Sequence, residues 1–231
     1  MSYFQSRRSA VVARKGAVAT SQPLAAQAGL QMLRDGGNAI DAAVATAAVL
    51  NVVEPGSTGI GGDMFALIWD KDERKVIALN GSGRQAAAAN VDDVRKAGFD
   101  SIPNNHEGSH FAVSVPGTVH GWETALNQYG RMTLREVLQP AIDYALNGYA
   151  VSEVIAQGWG SEDTVAKLNY RPSGKQMLPG ANGGAPKYGE IITLPELGHT
   201  LQMIAEGGSE VFYKGEIAKK TADFIQSEGG W

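Results

Sequence analysis

Cysteine is absent from the 231 residues, which excludes a disulfide, a thiolate nucleophile and an iron–sulfur cluster. It leaves the compartment open, because many exported proteins also lack disulfides. Charge is sparse too: 19% of residues are charged and the formal net charge is −4. No dense basic stripe exists, so a nucleic-acid partner is excluded. The longest all-apolar stretch of helical character, AAVATAAVL at 42–50, is far too short to cross a bilayer, so no membrane span is expected. The opening MSYFQSRR has no apolar h-region, and the expected location is the cytoplasm, or the periplasm if an export segment has been removed. Internal repeats, heptads and low-complexity blocks are missing as well.

The hydrophobic fraction, 43%, is that of a chain with a buried core. Residues 11–20 read as a short apolar strand. Ser21 offers a helix cap with Pro23 in the first turn, and the spacing predicts a helix over 24–33 ended by Gly36 and Gly37. Asn38 opens a second helix, with Asp41 placed to meet free N–H groups. Residues 42–50 are apolar on every face and are expected to be packed on both sides. The bend EPGSTGIGGD at 54–63 leads to strands at 64–69 and 76–80 joined by a polar turn over 70–75. Both strands are apolar on both faces, which predicts a hairpin in a central sheet covered by helices. A loop over 99–112, a strand over 112–117 and a helix from Thr118 to Tyr129 follow. Thr133 and Glu136 form a capping-box pattern, and Pro140 predicts a kink or two short helices within 134–147. Further helices are expected over 152–168, 197–208 and 216–227, with an irregular stretch at 171–190 and a turn at FYKG. The fold class is α/β of the α+β kind, one unit over 1–231 whose portion from about 117 to 231 is helical.

Candidate sites are few. The glycines at 59–62 have a helix before them and a strand after them, the inverse of a phosphate-binding loop, and no Walker lysine follows. They read as a tight bend beside a site. Arg84, at the end of a buried strand and after flexible glycines, has the planar fork suited to a substrate carboxylate. A solvated or structurally paired arginine is the competing reading. Ser82 lacks the G-x-S-x-G elbow and nothing local activates it. His106 and His110 are four apart in a loop, without an H-E-x-x-H pattern, and His120 and His199 are isolated, so no metal site is expected. Asp41, Glu54, Asp63 and Glu123 supply acids without a defined separation, and Asp41 already has a capping role. Residue chemistry alone yields no nucleophile and no catalytic base.

Several segments taken together resemble the γ-glutamyltransferase family: LAAQAGLQMLRDGGNAIDAAVATAAVLNVVEPGSTGIGGDMFALIWD at 24–70, LNGSGR at 79–84, VPGTVHGWETALNQYG at 115–130, TLREVLQPAIDYALNGYAVS at 133–152 and LQMIAEGGSEVFYKGEIA at 201–218. The resemblance implies a four-layer αββα N-terminal-nucleophile hydrolase fold, of which this chain supplies part of the large subunit. It implies a self-cleaving precursor whose small subunit, from the same precursor, carries the nucleophilic threonine. No catalytic residue is then expected in this chain, and neither metal nor cofactor is needed. The partners implied are that C-terminal subunit and a small-molecule amide or γ-glutamyl substrate; pairing of two heterodimers is compatible with it. Arg84 matches the family arginine that receives the substrate carboxylate. Two departures stand out. Gln85 follows Arg84 where glutathione-processing members commonly have an acid, and Asp63 replaces a third glycine of the bend. Oxamate amidohydrolase and cephalosporin acylase-like activities are therefore alternatives, and a non-catalytic interaction module is the competing class.

Overall fold

The computed structural model describes residues 9–102, 109–170 and 172–231. Residues 11–20, expected as a strand, form none, and Val11 and Val12 are exposed. An apolar run without a paired neighbour has no partner for its backbone groups and stays irregular. Helix α1 (Pro23–Arg34) starts one residue later than its expected cap. Gln22 is the N-cap, its Oε1 accepting from the N–H groups of Leu24 at 2.5 Å and Ala25 at 3.3 Å. Ser21 instead donates its hydroxyl to Glu54 Oε2 at 2.6 Å.

Helix α2 (Ala39–Val53) opens with the reciprocal cap that Asn38 and Asp41 predict. Asn38 N–H donates to Asp41 Oδ2 at 2.6 Å, and Ile40 N–H to Asn38 Oδ1 at 2.8 Å. Asp41 is wholly buried and does more than cap: its Oδ1 also accepts from the N–H groups of Arg131 at 3.0 Å and Met132 at 3.1 Å. One carboxylate thus staples the start of α2 to a loop 90 residues away. As expected, α2 is buried on nearly every side; Ala43, Ala47 and Leu50 mark the stripe left open.

Strands β1 (Met64–Asp70) and β2 (Lys75–Gly81) form the expected antiparallel hairpin, with Met64 opposite Gly81 and Asp70 opposite Lys75. Among the described residues this sheet has these two strands and is covered on one face, not two. Met64 packs on the glycine of the next long helix, while Phe65, Leu67, Trp69 and Val76 are 60–80% exposed on the opposite face. The described residues place helices on one side only of the hairpin.

A short helix α3 (Val91–Lys96) follows. Of the expected loop over 99–112, residues 103–108 lie outside the described residues, and Ser109–Ala112 make a 3-10 turn. Residues 113–117 are not a strand. Val115 N–H makes one bond to Arg84 O at 2.8 Å, and Pro116 has no N–H to continue a ladder. Helix α4 (Thr118–Tyr129) stops at Gly130. Helix α5 (Leu134–Asn147) carries the Thr133–Glu136 capping box. It runs through Pro140 as a single helix rather than two. Proline forfeits one backbone bond, while Val137, Leu138, Ala141 and Ala145 are fully buried in the core; each buried Val or Leu contributes about 1.5–3 kcal/mol, enough to hold the rod together.

Strand β3 (Tyr149–Ala150) pairs with β4 (Ile191–Ile192), a connection not visible as a sequence pattern. Between them the expected helix over 152–168 divides into α6 (Glu153–Trp159) and α7 (Glu162–Asn169). Gly160 closes the first, and Ser161 Oγ accepts from Thr164 N–H at 3.3 Å to begin the second. Residues 172–190, expected to be irregular, contain two 3-10 turns, Pro172–Met177 and Ala181–Gly183, and are otherwise irregular. Helix α8 (Pro195–Gly207) packs on α5, and FYKG, expected as a turn, is half helical in α9 (Ser209–Tyr213). Glu123 explains this: it accepts from both the N–H and the hydroxyl of Ser209, capping α9. Helix α10 (Glu216–Ser227) ends the chain. Helices α1, α2, α5 and α8 pack in series around Ala45, Val49, Val52, Leu138 and Leu201, all fully buried. Among the described residues no helix is long and apolar enough to cross a membrane.

Candidate active site

Three glycine-bearing segments meet at one end of the hairpin: the bend at 59–63, the exit of β2 at 81–84, and the approach to α4 at 115–118. Gly62 O accepts from the N–H groups of Gly117 at 3.0 Å and Thr118 at 3.1 Å, so the bend holds the start of α4. The other two segments touch backbone to backbone. A Cβ on Gly117 would lie 2.0 Å from Gly81 O, and one on Gly83 would lie 1.8 Å from Val115 O. Gly83 also has φ +80°, a conformation other residues rarely adopt. Glycine at 83 and 117 is required here because a side chain at either would drive the segments apart.

Arg84 is the residue that this crossing presents. It is exposed, its carbonyl is tied to Val115 N–H, and among the described residues its guanidinium has no ion pair or hydrogen-bond partner. An always-charged fork on a braced backbone can receive a carboxylate through two parallel bonds. Ser82, two residues before it, is half-buried; its hydroxyl donates to Gly83 O at 3.4 Å and its N–H to Asn80 Oδ1 at 3.0 Å. No base touches it.

The four acids have separate duties. Asp41 is the buried staple, Glu54 accepts from Ser21, Glu123 caps α9, and Asp63 is exposed at the lip of a cavity beside the bend. Of the histidines, His106 lies outside the described residues. His110 stacks beside Phe111, which in turn packs on Trp231. His120 donates its N–H to Tyr213 Oη at 3.1 Å, and His199 is exposed on α8. Among the described residues no group of three or more His, Asp or Glu could hold a metal ion.

The cavity beside the bend measures about 560 Å3 and was not foreseen from the sequence. Asn51, Thr118, Asp63, Phe65 and Trp122 are among its lining residues. Asn51, a polar residue near the end of the largely apolar helix α2, was the available signal; Thr118, at the first turn of an ordinary helix, gave none. The floor is firm because the Tyr149 hydroxyl donates to Val52 O at 2.9 Å, next to Asn51. Burial of this phenol pushes its pKa well above the ordinary tyrosine value, so it stays a neutral donor.

A mixed α/β scaffold with an antiparallel hairpin on a helical layer and a glycine crossing at its end belongs to the class of N-terminal-nucleophile hydrolases, in the large-subunit-like region of their fold. The family is defined by sequence as well as shape: the gamma-glutamyltranspeptidase family model matches residues 25–231, and the chain belongs to that family. Among curated relatives, it is 40% identical over 222 residues to a glutathione hydrolase-like YwrD proenzyme of Bacillus subtilis, covering 96% of this chain and 41% of that protein. Among solved structures, the cephalosporin acylase of Bacillus halodurans superimposes with a TM-score of 0.89 at 40% identity, covering 100% of this chain and 43% of that one. The gamma-glutamyltranspeptidase of Helicobacter pylori gives 0.81 at 29% identity, with 96% and 63% covered. The chain thus spans about two fifths of the length of the curated relatives it matches.

Proposed function

We propose that the chain is the large-subunit part of a self-processing amidohydrolase, in which Arg84 holds the carboxylate of a small amide substrate. The nucleophile is the N-terminal threonine of a small subunit released from the same precursor, with its own α-amine as base. That arrangement is the one implied by family membership together with the share of the relatives covered here. The observation that supports the substrate role is an Arg84 guanidinium with no partner among the described residues, on a backbone locked by Gly83 and Gly117. An exposed arginine serving only solubility would not need a support that excludes every side chain at two neighbouring positions.

Attack on the amide carbonyl would form a tetrahedral oxyanion, expel the amine and leave an acyl-enzyme, which water or an amine acceptor then resolves. Arg84 takes no proton in these steps. It fixes the far end of the acyl group so that the carbonyl meets the nucleophile in a productive geometry.

The experiment uses the full-length precursor. Arg84→Ala is expected to leave self-cleavage, followed on a gel, intact. Loss of a charge-assisted contact of about 1.5–3 kcal/mol lowers kcat/KM toward γ-glutamyl-p-nitroanilide by roughly 10- to 150-fold. Unchanged kcat/KM would reject the assignment. A second reading, hydrolysis of an acylated β-lactam nucleus, is favoured by the full coverage of this chain by the cephalosporin acylase and by Gln85 beside Arg84. Turnover of γ-glutamyl-p-nitroanilide, glutathione, oxamate and an acylated cephalosporin nucleus, measured side by side, separates the two.

A further inference from the structure

A second cavity, of about 330 Å3, opens next to Arg84 along the chain, because Gln85 is among its lining residues. Consecutive Cα atoms lie about 3.8 Å apart, so a ligand held by Arg84 needs only a few more atoms to enter it. Val94, Phe99 and Trp231 supply apolar wall. Val94 is buried, and Phe99 N–H donates to its carbonyl oxygen at 3.1 Å. Buried Phe111 braces both rings, with its centroid 6.4 Å from that of Phe99 and 5.1 Å from that of Trp231. Trp231 Nε1 also donates to Asp93 Oδ2 at 3.4 Å. The cavity therefore has fixed walls.

Its polar lining is rich in donors. Arg95, on α3, is the only cation among the lining residues. Its partner Asp92 stands 3.8 Å away, beyond hydrogen-bond distance, and both side chains are more than 60% exposed, so the pair is weak. Asn90 uses its Oδ1 to accept from Asp92 N–H at 2.9 Å, which leaves its amide N–H groups to donate. Gln85 adds a second, exposed amide. Asp93 is committed to Lys96 and Trp231, and Asp100, the one acid in the lining, is exposed. A planar guanidinium and two side-chain amides beside an apolar wall match a carboxylate on a short organic chain.

We propose that this cavity is a second anion subsite, in which Arg95, aided by Gln85 and Asn90, takes a further carboxylate of the acyl group beyond the one held by Arg84. The far end of the acyl group sits on Arg84, so whatever extends past that end meets Gln85 first and Arg95 next. The favoured substrate class is then an acyl donor with an acidic extension at its distal end, rather than the amide of a simple diacid. Placement of the substrate rests on the carboxylate reading of Arg84; the anion subsite itself does not.

The test is calorimetric titration of the processed full-length protein with N-succinyl-L-glutamate and N-butyryl-L-glutamate, which differ by a terminal carboxylate in place of a methyl group. The succinyl compound is expected to bind at least about fivefold more tightly. That gap should close to within about twofold in Arg95→Ala, return in part in Arg95→Lys, and narrow with added salt. Arg95 is exposed, so these variants are expected to fold. Lys96→Ala removes the same charge from a residue outside the lining and should leave the gap unchanged. Four results overturn the subsite: no gap in the wild type, binding of neither ligand, a gap that survives Arg95→Ala, or the same closure in Lys96→Ala. Arg84→Ala should weaken both ligands alike. If it weakens neither while Arg95→Ala still closes the gap, the carboxylate reading of Arg84 fails and the anion subsite stands.

Discussion

Replacing Gly117 by alanine tests whether backbone contact at the glycine crossing positions Arg84. Gly117 has φ −106° and ψ −16°, which alanine adopts freely, so no dihedral strain enters. The cost is steric: the new Cβ would stand 2.0 Å from Gly81 O and 2.6 Å from Gly83 N. Both are backbone atoms and cannot rotate aside. Restoring ordinary contact requires about 1 Å of separation between the 81–84 and 115–118 segments, an overpacking cost of about 1–3 kcal/mol. Movement on that scale also breaks the 2.8 Å bond from Val115 N–H to Arg84 O, adding about 0.5–1.5 kcal/mol. A urea titration of the full-length enzyme is thus expected to show a loss of about 2–4 kcal/mol. If Arg84 holds the substrate as proposed, activity should fall further than stability suggests, by about 100-fold in kcat/KM, because a 1 Å displacement of such a group is costly to the reaction. Gly61→Ala is the control, since nothing lies within 4 Å of its would-be Cβ. Gly117→Ala with the stability and kcat/KM of Gly61→Ala would refute the reasoning.

Other consequences are independent of catalysis. Asp41→Ala removes the buried carboxylate that accepts from the part-buried N–H groups of Asn38, Arg131 and Met132, and is expected to cost about 1–3 kcal/mol in chemical denaturation; Asp41→Asn, which keeps an oxygen, should cost less. Burial holds the Tyr149 phenol protonated to higher pH in the folded state than in the unfolded chain. The associated stability is complete below the ordinary tyrosine value of about 10 and is lost as pH rises through the higher folded value. Tyr149→Phe should forfeit about 1 kcal/mol at pH 7 with the bond to Val52 O, and flatten the alkaline limb of a stability-versus-pH curve.

Local signals were strong wherever one short segment settles its own structure. Asn38 with Asp41, Thr133 with Glu136, the apolar run of α2 and the polar turn between β1 and β2 are each read from a few neighbouring residues. So is the long match in 24–70 that carries the family. Arg84 as a candidate was legible from its type and its place after a strand. Errors fell where a neighbour distant in sequence intervened. Residues 11–20 and 113–117 have strand-like composition but lack a ladder partner. Of the two outcomes Pro140 suggested for 134–147, a kink or two short helices, the division into two does not occur, because the buried apolar face keeps α5 continuous. The segment after Gly208 is helical because Glu123, more than 80 residues earlier, caps it.

The order of elements, the capped helices and the hairpin follow from the chain read in a line, since hydrophobic period, caps and turns act over a few residues. The meeting of Gly62, Gly83 and Gly117, the brace on Arg84, the second set of bonds to Asp41 and the cavity with Asn51 and Thr118 do not. Each depends on backbone or side-chain atoms brought within bonding distance across tens of residues, and that proximity exists only once the helical layer and the hairpin have packed.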